Sequence, residues 1–323
     1  MTNELNDSYD VVVFGGGAAG LSGALMLARA RRSVAVIDAG SPRNAPAAGV
    51  HGLLGHDGIS PDELLARGRS EVRSYGGHVV SGEVSSAVRD GDGDFRVELA
   101  DGRSVRARRL LVASGLVDEL PDVAGLRDRW GRDVVHCPYC HGWEVRDQAI
   151  GILASGPMSV HQALLFRQWS SDVTFFRHTM PAPSGEDVEK LAARGIRVVD
   201  GEVVALEVAE DRLAGLRISG GSLVRLDALA VASRMVAGGG FLAGLGLNTV
   251  EHPAGVGEHL PTDATGRTEV PRVWAAGNVT DLTAQVGAAA AAGAAAAAQI
   301  NADLIAEETR DAVAALRNPV PVP

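Results

Sequence analysis

The chain has 323 residues, enough for more than one hydrophobic core, so two domains are the first expectation. Its net charge is −10 and its basic residues are scattered, which argues against a surface that follows nucleic-acid phosphates. The polar start MTNELNDSYD is not typical of a secretory signal, and the apolar run 286–298 is short and rich in alanine and glycine. We therefore expect a cytoplasmic protein without a membrane span.

Residues 10–40, DVVVFGGGAAGLSGALMLARARRSVAVIDAG, predict a strand, a glycine-rich turn, a helix and a second strand. Gly15, Gly17 and Gly20 form the pattern G-x-G-x-x-G: the first permits a tight turn, the second admits a pyrophosphate, and the third packs helix on strand. Asp38 follows about twenty residues on, where a carboxylate binds ribose hydroxyls. The unit predicts a dinucleotide site, and an unrelated glycine-rich turn is the alternative.

The next segments predict one helix and several strands. The helix covers PDELLARGRSEVRSYGG, with Ser60 as N-cap and Pro61 at its first position. Strands are predicted in HVVSGEVSSAV, FRVELADG and SVRARRLLVASG, with a hairpin turn at Asp101-Gly102.

A second strand, turn, helix and strand begin at Ala149, so the chain carries two nucleotide-type units. The second is degraded: its turn reads ASGPMS, and its second strand ends in FRH without an acidic residue. VWAAGNVTD, residues 273–281, predicts a last strand and turn before an alanine-rich helix, and the tail NPVPVP is expected to be frayed.

Both cysteines of the chain lie in HCPYCHGWE, residues 136–144. A c-type haem site fits the pattern C-x-x-C-H but requires export, and half of a zinc site would need further ligands. A structural thiol pair is a third reading. We favour a redox-active disulfide, because a short turn holds both sulfurs within bonding distance and a positive group can lower the pKa of one thiol. His141 could supply that charge and transfer protons.

GGGAAG, Asp38, VASG at 112–115, CPYC and AAGNVTD together resemble the low-molecular-weight thioredoxin reductase family of FAD-dependent disulfide oxidoreductases. The resemblance implies an α/β fold with two Rossmann-like, doubly wound, three-layer domains. One is a discontinuous FAD-binding domain, 1–116 and 242–323, and the other is an NAD(P)-binding-like domain, 117–241, which carries the redox pair. It also implies a homodimer and FAD bound by Gly15, Gly17, Gly20, Asp38, Gly277, Asn278, Gln285 and Val286.

Three departures from that family bear on function. Asn278 stands where an aspartate is usual near the ribitol, which changes the charge beside the flavin. ASGPMS and the single Arg177 replace the glycine turn and the basic cluster that grip the 2′-phosphate, so NADPH binding is doubtful. His141 replaces the aspartate after the second cysteine, as in FAD-dependent dithiol oxidases of the gliotoxin and holomycin types.

The resulting hypothesis is an FAD-dependent dithiol oxidase that closes a disulfide in a small, natural-product-like dithiol. Cys137 would exchange with substrate, Cys140 would face the flavin, His141 would be the acid/base, and O₂ would become H₂O₂. The alternative is an NAD(P)H-dependent reductase of a thioredoxin-like protein. A third possibility is a non-enzymatic flavin redox sensor. No metal site is expected, and three further histidines are not assigned catalytic roles: His51, His56 and His136.

Overall fold

The computed structural model describes residues 4–91 and 93–318, so residues 319–323, most of the tail expected to be frayed, lie outside the described residues. The helices are α1 (Ala18–Arg29), α2 (Pro61–Ser74), α3 (Leu126–Arg129), α4 (Pro138–His141), α5 (Ser159–Phe166), α6 (Gly185–Ala193), α7 (Phe241–Leu245) and α8 (Val286–Arg317). The strands are β1 (Ser8–Phe14), β2 (Val34–Asp38), β3 (His78–Ser81), β4 (Val84–Arg89), β5 (Phe95–Leu99), β6 (Ser104–Val112), β7 (Leu116–Glu119), β8 (Val134–Val135), β9 (Ile150–Leu153), β10 (Val173–Phe176), β11 (Arg197–Val199), β12 (Val203–Ala209), β13 (Arg212–Ile218), β14 (Leu223–Arg225), β15 (Ala228–Val231), β16 (Arg234–Ala237), β17 (Val250–Glu251), β18 (Gly257–His259) and β19 (Val273–Ala275).

A seven-stranded sheet forms the centre of the first unit, in the order β3-β2-β1-β6-β5-β4, with β19 beside β6. Strand β1 runs parallel to β2 and β6 and is buried on both faces. Val11 and Val13 pack in one core with α1 and α8, while Val12 and Phe14 pack in the core on the other face. A parallel sheet needs cover on both faces, which explains the apolar run VVVF.

A second, five-stranded parallel sheet has the order β11-β10-β9-β15-β8 and lies between two further cores. We call the part built on the seven-stranded sheet the outer unit (4–116 and 242–318) and the part built on this sheet the inserted unit (117–241). Strands β7 and β16 pair antiparallel where the chain enters and leaves the inserted unit. Two doubly wound sheets confirm the predicted fold class, while the domain boundaries stay a prediction.

The start of α2 agrees with the sequence prediction, whereas the strands that follow it differ in part. Ser60 caps α2, since its Oγ accepts a hydrogen bond from the amide of Glu63 at 3.2 Å. The single strand expected over 78–88 is two strands, because the chain turns at Gly82 between β3 and β4. Strand β3 extends the parallel sheet beside β2, and β4 pairs antiparallel with β5.

Helix α8 is 32 residues long, and by length and composition alone it could cross a membrane, the one such helix among the described residues. The sequence prediction considered the apolar run 286–298 alone, whereas the helix continues past it to Arg317. A core helix passes the same test. In the outer unit, a Cβ at Gly293 would lie 1.9 Å from the carbonyl oxygen of Ala19 on α1. Buried Arg109 also pairs with Asp303 and Glu307 of α8. These contacts tie α8 to the core, and the absence of a membrane span stays a prediction.

Candidate active site

The first glycine turn, between β1 and α1, is tight on its inner side and open on its outer side. Gly15 has φ +102°, and a Cβ there would lie 2.4 Å from the carbonyl oxygen of Ala113. A Cβ at Gly20 would lie 1.9 Å from the carbonyl oxygen of Gly15, so helix and turn pack without side chains. Gly17, by contrast, has nothing within 4 Å of its Cβ position and caps α1 without a side-chain hydrogen bond. The turn therefore presents free backbone to a ligand.

Other predicted cofactor residues surround this turn. Asp38, at the end of β2, is so close that a Cβ at Gly16 would lie 2.4 Å from its Oδ2. Gly277 has φ +83°, and its Cβ position is 2.8 Å from the Cβ of Ala19 in the first turn of α1. Asp38 and the loop after β19 therefore lie at the same end of the seven-stranded sheet.

Asn278 has a role that the sequence did not indicate. Its side-chain Nδ2 donates to the carbonyl oxygens of Asp281 at 3.0 Å and Ala284 at 2.9 Å. These bonds shape the turn that leads to Gln285 and Val286, the N-cap and first residue of α8. A carboxylate could not donate them. Its place at the flavin stays a prediction, while its amide bonds the carbonyl oxygens of this turn.

The two cysteines lie at the start of α4, which we call the redox helix. Cys137 is its N-cap and Pro138 its first residue, where a missing N–H costs nothing. A hydrogen bond from the thiol of Cys140 lowers the pKa of Cys137 to about 6, against the effect of burial. The same bond, with burial, raises the pKa of Cys140. In the reduced pair Cys137 is the thiolate and Cys140 keeps its proton.

Arg43 supplies the positive charge near this pair. It belongs to the loop 41–58 of the outer unit, and its charge lowers the pKa of both thiols. Two hydrogen bonds of 2.7 and 2.8 Å join it to Asp118, which is buried on β7. Burial would raise the pKa of Asp118, but the bonds from Arg43 hold it below its ordinary value.

His141 is not the source of that charge, contrary to the sequence interpretation. Burial lowers its pKa, so the imidazole is neutral at pH 7. Its Nδ1 and Nε2 are both buried with no hydrogen-bond partner among the described residues. A buried, neutral imidazole beside two thiols can accept a proton, so the structure suits His141 to the base part of its predicted role.

The three histidines that were not assigned catalytic roles lie in different positions. His136, directly before the pair, is bonded through Nδ1 to the carbonyl oxygen of Val231 at 3.2 Å. His51, from the loop 41–58, approaches the redox helix, with its Nε2 3.4 Å from Oε1 of Glu144. His56 is exposed on that loop.

The second glycine turn, in the inserted unit, is filled by its own side chain. The hydroxyl oxygen of Ser159 accepts hydrogen bonds from the amides of Ser155 at 3.1 Å and Gly156 at 3.2 Å. These amides stand where a nucleotide-binding turn offers N–H groups to phosphate. Ser159 therefore satisfies the donors that a pyrophosphate would need.

Arg177, the one arginine of the degraded basic cluster, is paired with an acidic residue. Its Nε lies 2.9 Å from Oδ1 of Asp200. Its neighbour His178 accepts a hydrogen bond at Nδ1 from the amide of Val203, at 3.1 Å. A 2′-phosphate at this position would meet the negative charge of Asp200, which weakens the case for NADPH.

The model of one protein family, described as pyridine nucleotide-disulphide oxidoreductase, matches residues 9–297. The chain belongs to this family. A curated relative, "Thioredoxin reductase sirT" of Leptosphaeria maculans, is 30% identical over 84% of this chain and 86% of its own. "Thioredoxin reductase tcpT" of Claviceps purpurea is 33% identical over 68% of this chain and 72% of its own.

Solved structures agree with the family assignment. The structure titled HlmI has a TM-score of 0.91 at 45% identity and covers 98% of this chain and 99% of its own. An oxidoreductase from Agrobacterium tumefaciens has a TM-score of 0.86 at 37% identity, covering 92% and 99%. The predicted resemblance to thioredoxin reductase-like enzymes, with the gliotoxin and holomycin type among them, is confirmed.

The family implies FAD, and the residues of the first turn fit it. The open backbone at Gly17, the uncapped start of α1 and the carboxylate of Asp38 are what the ADP half of FAD requires. Gln285 likewise leaves the start of α8 without a side-chain cap. Among the described residues, no group of three or more histidine, cysteine or acidic side chains is placed to hold a metal ion.

Three residues of the site escaped the sequence analysis: Arg43, Asp118 and Glu144. Arg43 and Asp118 are far apart in sequence and meet only through the tertiary fold, so no local pattern marks them. His51 was named from the sequence without a partner, and the structure pairs it with Glu144. Glu144 follows His141 by three residues in a helical turn, so helical spacing could have linked the two.

Proposed function

We propose that this enzyme is an FAD-dependent dithiol oxidase that closes a disulfide in a small dithiol. The observation that carries the proposal is the contrast between the two glycine turns. The first is open at Gly17, and the second has its amides bonded to Ser159. Electrons would therefore enter from a dithiol through the cysteine pair rather than from NADPH. The proposal includes O₂ as acceptor, a cytoplasmic location and a homodimer.

The cysteine pair would act in two exchange steps, starting from its disulfide form. A substrate thiolate attacks Sγ of Cys137, the bond between the two cysteines breaks, and Cys140 leaves with the electron pair. The second substrate thiolate then attacks the substrate sulfur bound to Cys137. The product disulfide forms and Cys137 leaves as a thiolate. Its lowered pKa makes it a good leaving group for this step, which supports the predicted order of the two cysteines.

His141 would take a proton from a substrate thiol, because its neutral imidazole is buried with both ring nitrogens unpartnered among the described residues. The guanidinium of Arg43 would stabilise the negative charge on the sulfurs of Cys137 and Cys140 as they leave. Gly15, Gly17, Gly20 and Asp38 would hold FAD, which when bound would supply two-electron transfer from the reduced cysteine pair to O₂, giving H₂O₂.

The test compares oxygen uptake with a simple dithiol against NADPH oxidation by the purified, FAD-containing protein. The dithiol should drive oxygen uptake with equimolar H₂O₂, and Cys137→Ser should abolish it. Anaerobic stopped flow is the direct check of direction. Rapid, saturable reduction of the flavin by NADPH, with none by dithiols, would reject the proposal. Full oxidase activity in Cys137→Ser would reject the role of that cysteine.

The rival function, an NAD(P)H-dependent reductase of a thioredoxin-like protein, has one observation in its favour. A cleft of about 210 Å³ lies where β9 and β10 end, and its lining includes Ser155, His178 and Arg234. Arg234 is paired with Glu251 and Glu258 there, so it offers little free positive charge. The stopped-flow comparison separates the two functions.

A further inference from the structure

Glu144 pairs with His51 of the outer unit and follows His141 of the inserted unit by about one helical turn. The amide of Val145 donates to the carbonyl oxygen of His141 at 3.3 Å, so the redox helix continues as a helical turn. Glu144 is three residues beyond His141 in this turn, and side chains at that spacing share a face. On its other side, Oε1 of Glu144 is 3.4 Å from Nε2 of His51, which belongs to the outer unit.

The loop fixes His51 in this place. The amide of Val50 donates to the carbonyl oxygen of Ile59 at 2.7 Å, which closes the loop at its base. Oδ1 of Asp57 accepts the amide of Gly52 at 2.8 Å and lies 3.7 Å from Nδ1 of His51. His51 therefore has a carboxylate on each side, one from its own loop and one from the redox turn.

We propose that Glu144 is a positioning residue that favours the protonated form of His141, and that His51, paired with Glu144 across the boundary between the units, opposes this effect. The inference rests on the proposed function, in which His141 accepts a proton from the dithiol. Burial and the charges of Glu144 and His51 affect the proton affinity of His141 more than the backbone of Cys137 does.

Glu144 and His51 have opposite effects on the pKa of His141. Burial lowers the pKa of His141, the charge of Glu144 raises it, the charge of His51 lowers it, and the backbone of Cys137 raises it least. Among the described residues, the charged or titratable groups coupled to the cysteine pair and His141 are Glu144, which follows the redox helix, His136 before it, and Arg43 and His51 from the loop 41–58. Removal of Glu144 and removal of His51 should thus shift His141 in opposite directions, which a merely structural role would not produce.

The experiment is an NMR titration of the FAD-containing protein labelled at histidine Cε1, with His141 assigned by its loss in His141→Gln. Glu144→Gln should lower the titration midpoint of His141 by about 0.5 to 1 pH unit, a reduced effect because Glu144 is partly exposed to solvent. His51→Gln should raise the midpoint by a smaller amount. Glu144→Asp, which keeps the charge, should recover most of the wild-type value.

Glu186→Gln is the matched control, because it removes an exposed carboxylate that pairs with Lys190 within helix α6. It should leave His141 unchanged. A His141 midpoint in Glu144→Gln within about 0.2 pH unit of the wild-type midpoint would overturn the inference, because the expected shift is at least about 0.5 pH unit. So would shifts of the same sign in Glu144→Gln and His51→Gln.

Turnover provides a second readout that separates this inference from the proposed function. With a dithiol, Glu144→Gln should move the acid limb of kcat to lower pH and reduce kcat about three- to tenfold, with KM unchanged. If the wild type shows no dithiol oxidation but the NMR midpoints shift as expected, the proposed function fails and the link between Glu144 and His141 stands. If turnover is normal and the midpoints do not move, only the inference fails.

Discussion

Arg43 and Asp118 meet through two parallel hydrogen bonds, Nε to Oδ2 at 2.7 Å and Nη2 to Oδ1 at 2.8 Å. Arg43 comes from the loop after β2, and Asp118 lies on β7, where the chain enters the inserted unit. Asp118 also accepts a hydrogen bond from Ser233, just before β16. The two connections between the units therefore hold a permanent positive charge near the cysteine pair.

The first prediction concerns this charge. Arg43→Gln should raise the pKa of Cys137 above its value of about 6, by about 1 pH unit, because a nearby cation favours the thiolate. The rate of alkylation by iodoacetamide on the reduced protein, followed against pH with peptide mapping, reports the thiolate fraction. The half-maximal rate should move to higher pH by that amount.

Arg67→Gln is the control for this variant, because Arg67 is exposed on α2 and pairs with Glu63 in its own helix. Its alkylation profile should match the wild type. Since Arg43→Gln leaves Asp118 buried without its cation, the double variant Arg43→Gln/Asp118→Asn should keep the raised thiol pKa while it restores part of the lost stability. An unchanged profile in both variants would remove Arg43 from the site.

The second prediction ranks the causes of the low pKa of Cys137. The hydrogen bond from Cys140 has the largest effect on it and the charge of Arg43 a smaller one. Cys140→Ala should therefore raise the pKa of Cys137 more than Arg43→Gln does, in the same alkylation assay. Cys140→Ser keeps an O–H donor and should give a smaller rise than Cys140→Ala. The reverse order would show that the loop charge dominates.

The sequence predicted those parts of the molecule that local pattern determines. The glycine turn, Asp38 and the cap at Ser60 each depend on residues close together in the chain, and each has the expected local conformation. The two nucleotide-type sheets were predicted for the same reason, because each strand, turn and helix unit is contiguous. The degraded second turn was also evident, although the sequence ASGPMS did not show that the hydroxyl of Ser159 would accept hydrogen bonds from the amides of the turn.

The charges around the thiols could not be predicted in this way. The positive charge assigned to His141 belongs to Arg43, since burial keeps His141 neutral and burial is a property of the folded chain. The pairing of His51 with Glu144 joins the outer and inserted units, and no spacing in the sequence encodes it. Asn278 was judged by the aspartate it replaces, whereas its three-dimensional role depends on carbonyl groups of the following turn.

The third prediction tests the FAD cradle with a methyl group. A Cβ at Gly17 meets nothing within 4 Å, so Gly17→Ala should fold normally yet obstruct a cofactor that approaches the turn. FAD affinity should fall about tenfold, the effect of ~1.4 kcal/mol. Gly156→Ala in the second turn is the matched control, because its Cβ position is also open. The ratio of flavin to protein absorbance after dialysis measures both, and equal loss in the two variants would contradict the assignment.

The fourth prediction concerns Asn278, whose Nδ2 donates to the carbonyl oxygens of Asp281 and Ala284. Asn278→Asp should destabilise the FAD-free protein by about 1–3 kcal/mol, because a carboxylate cannot donate and would face carbonyl oxygens. Asn301→Asp on α8 is the control, since Oδ1 of Asn301 accepts from Arg32 and a carboxylate can do the same. Urea unfolding measures both. Equal stability of the two variants would mean that the turn before α8 does not need the amide, leaving the lost charge beside the cofactor as its distinguishing property.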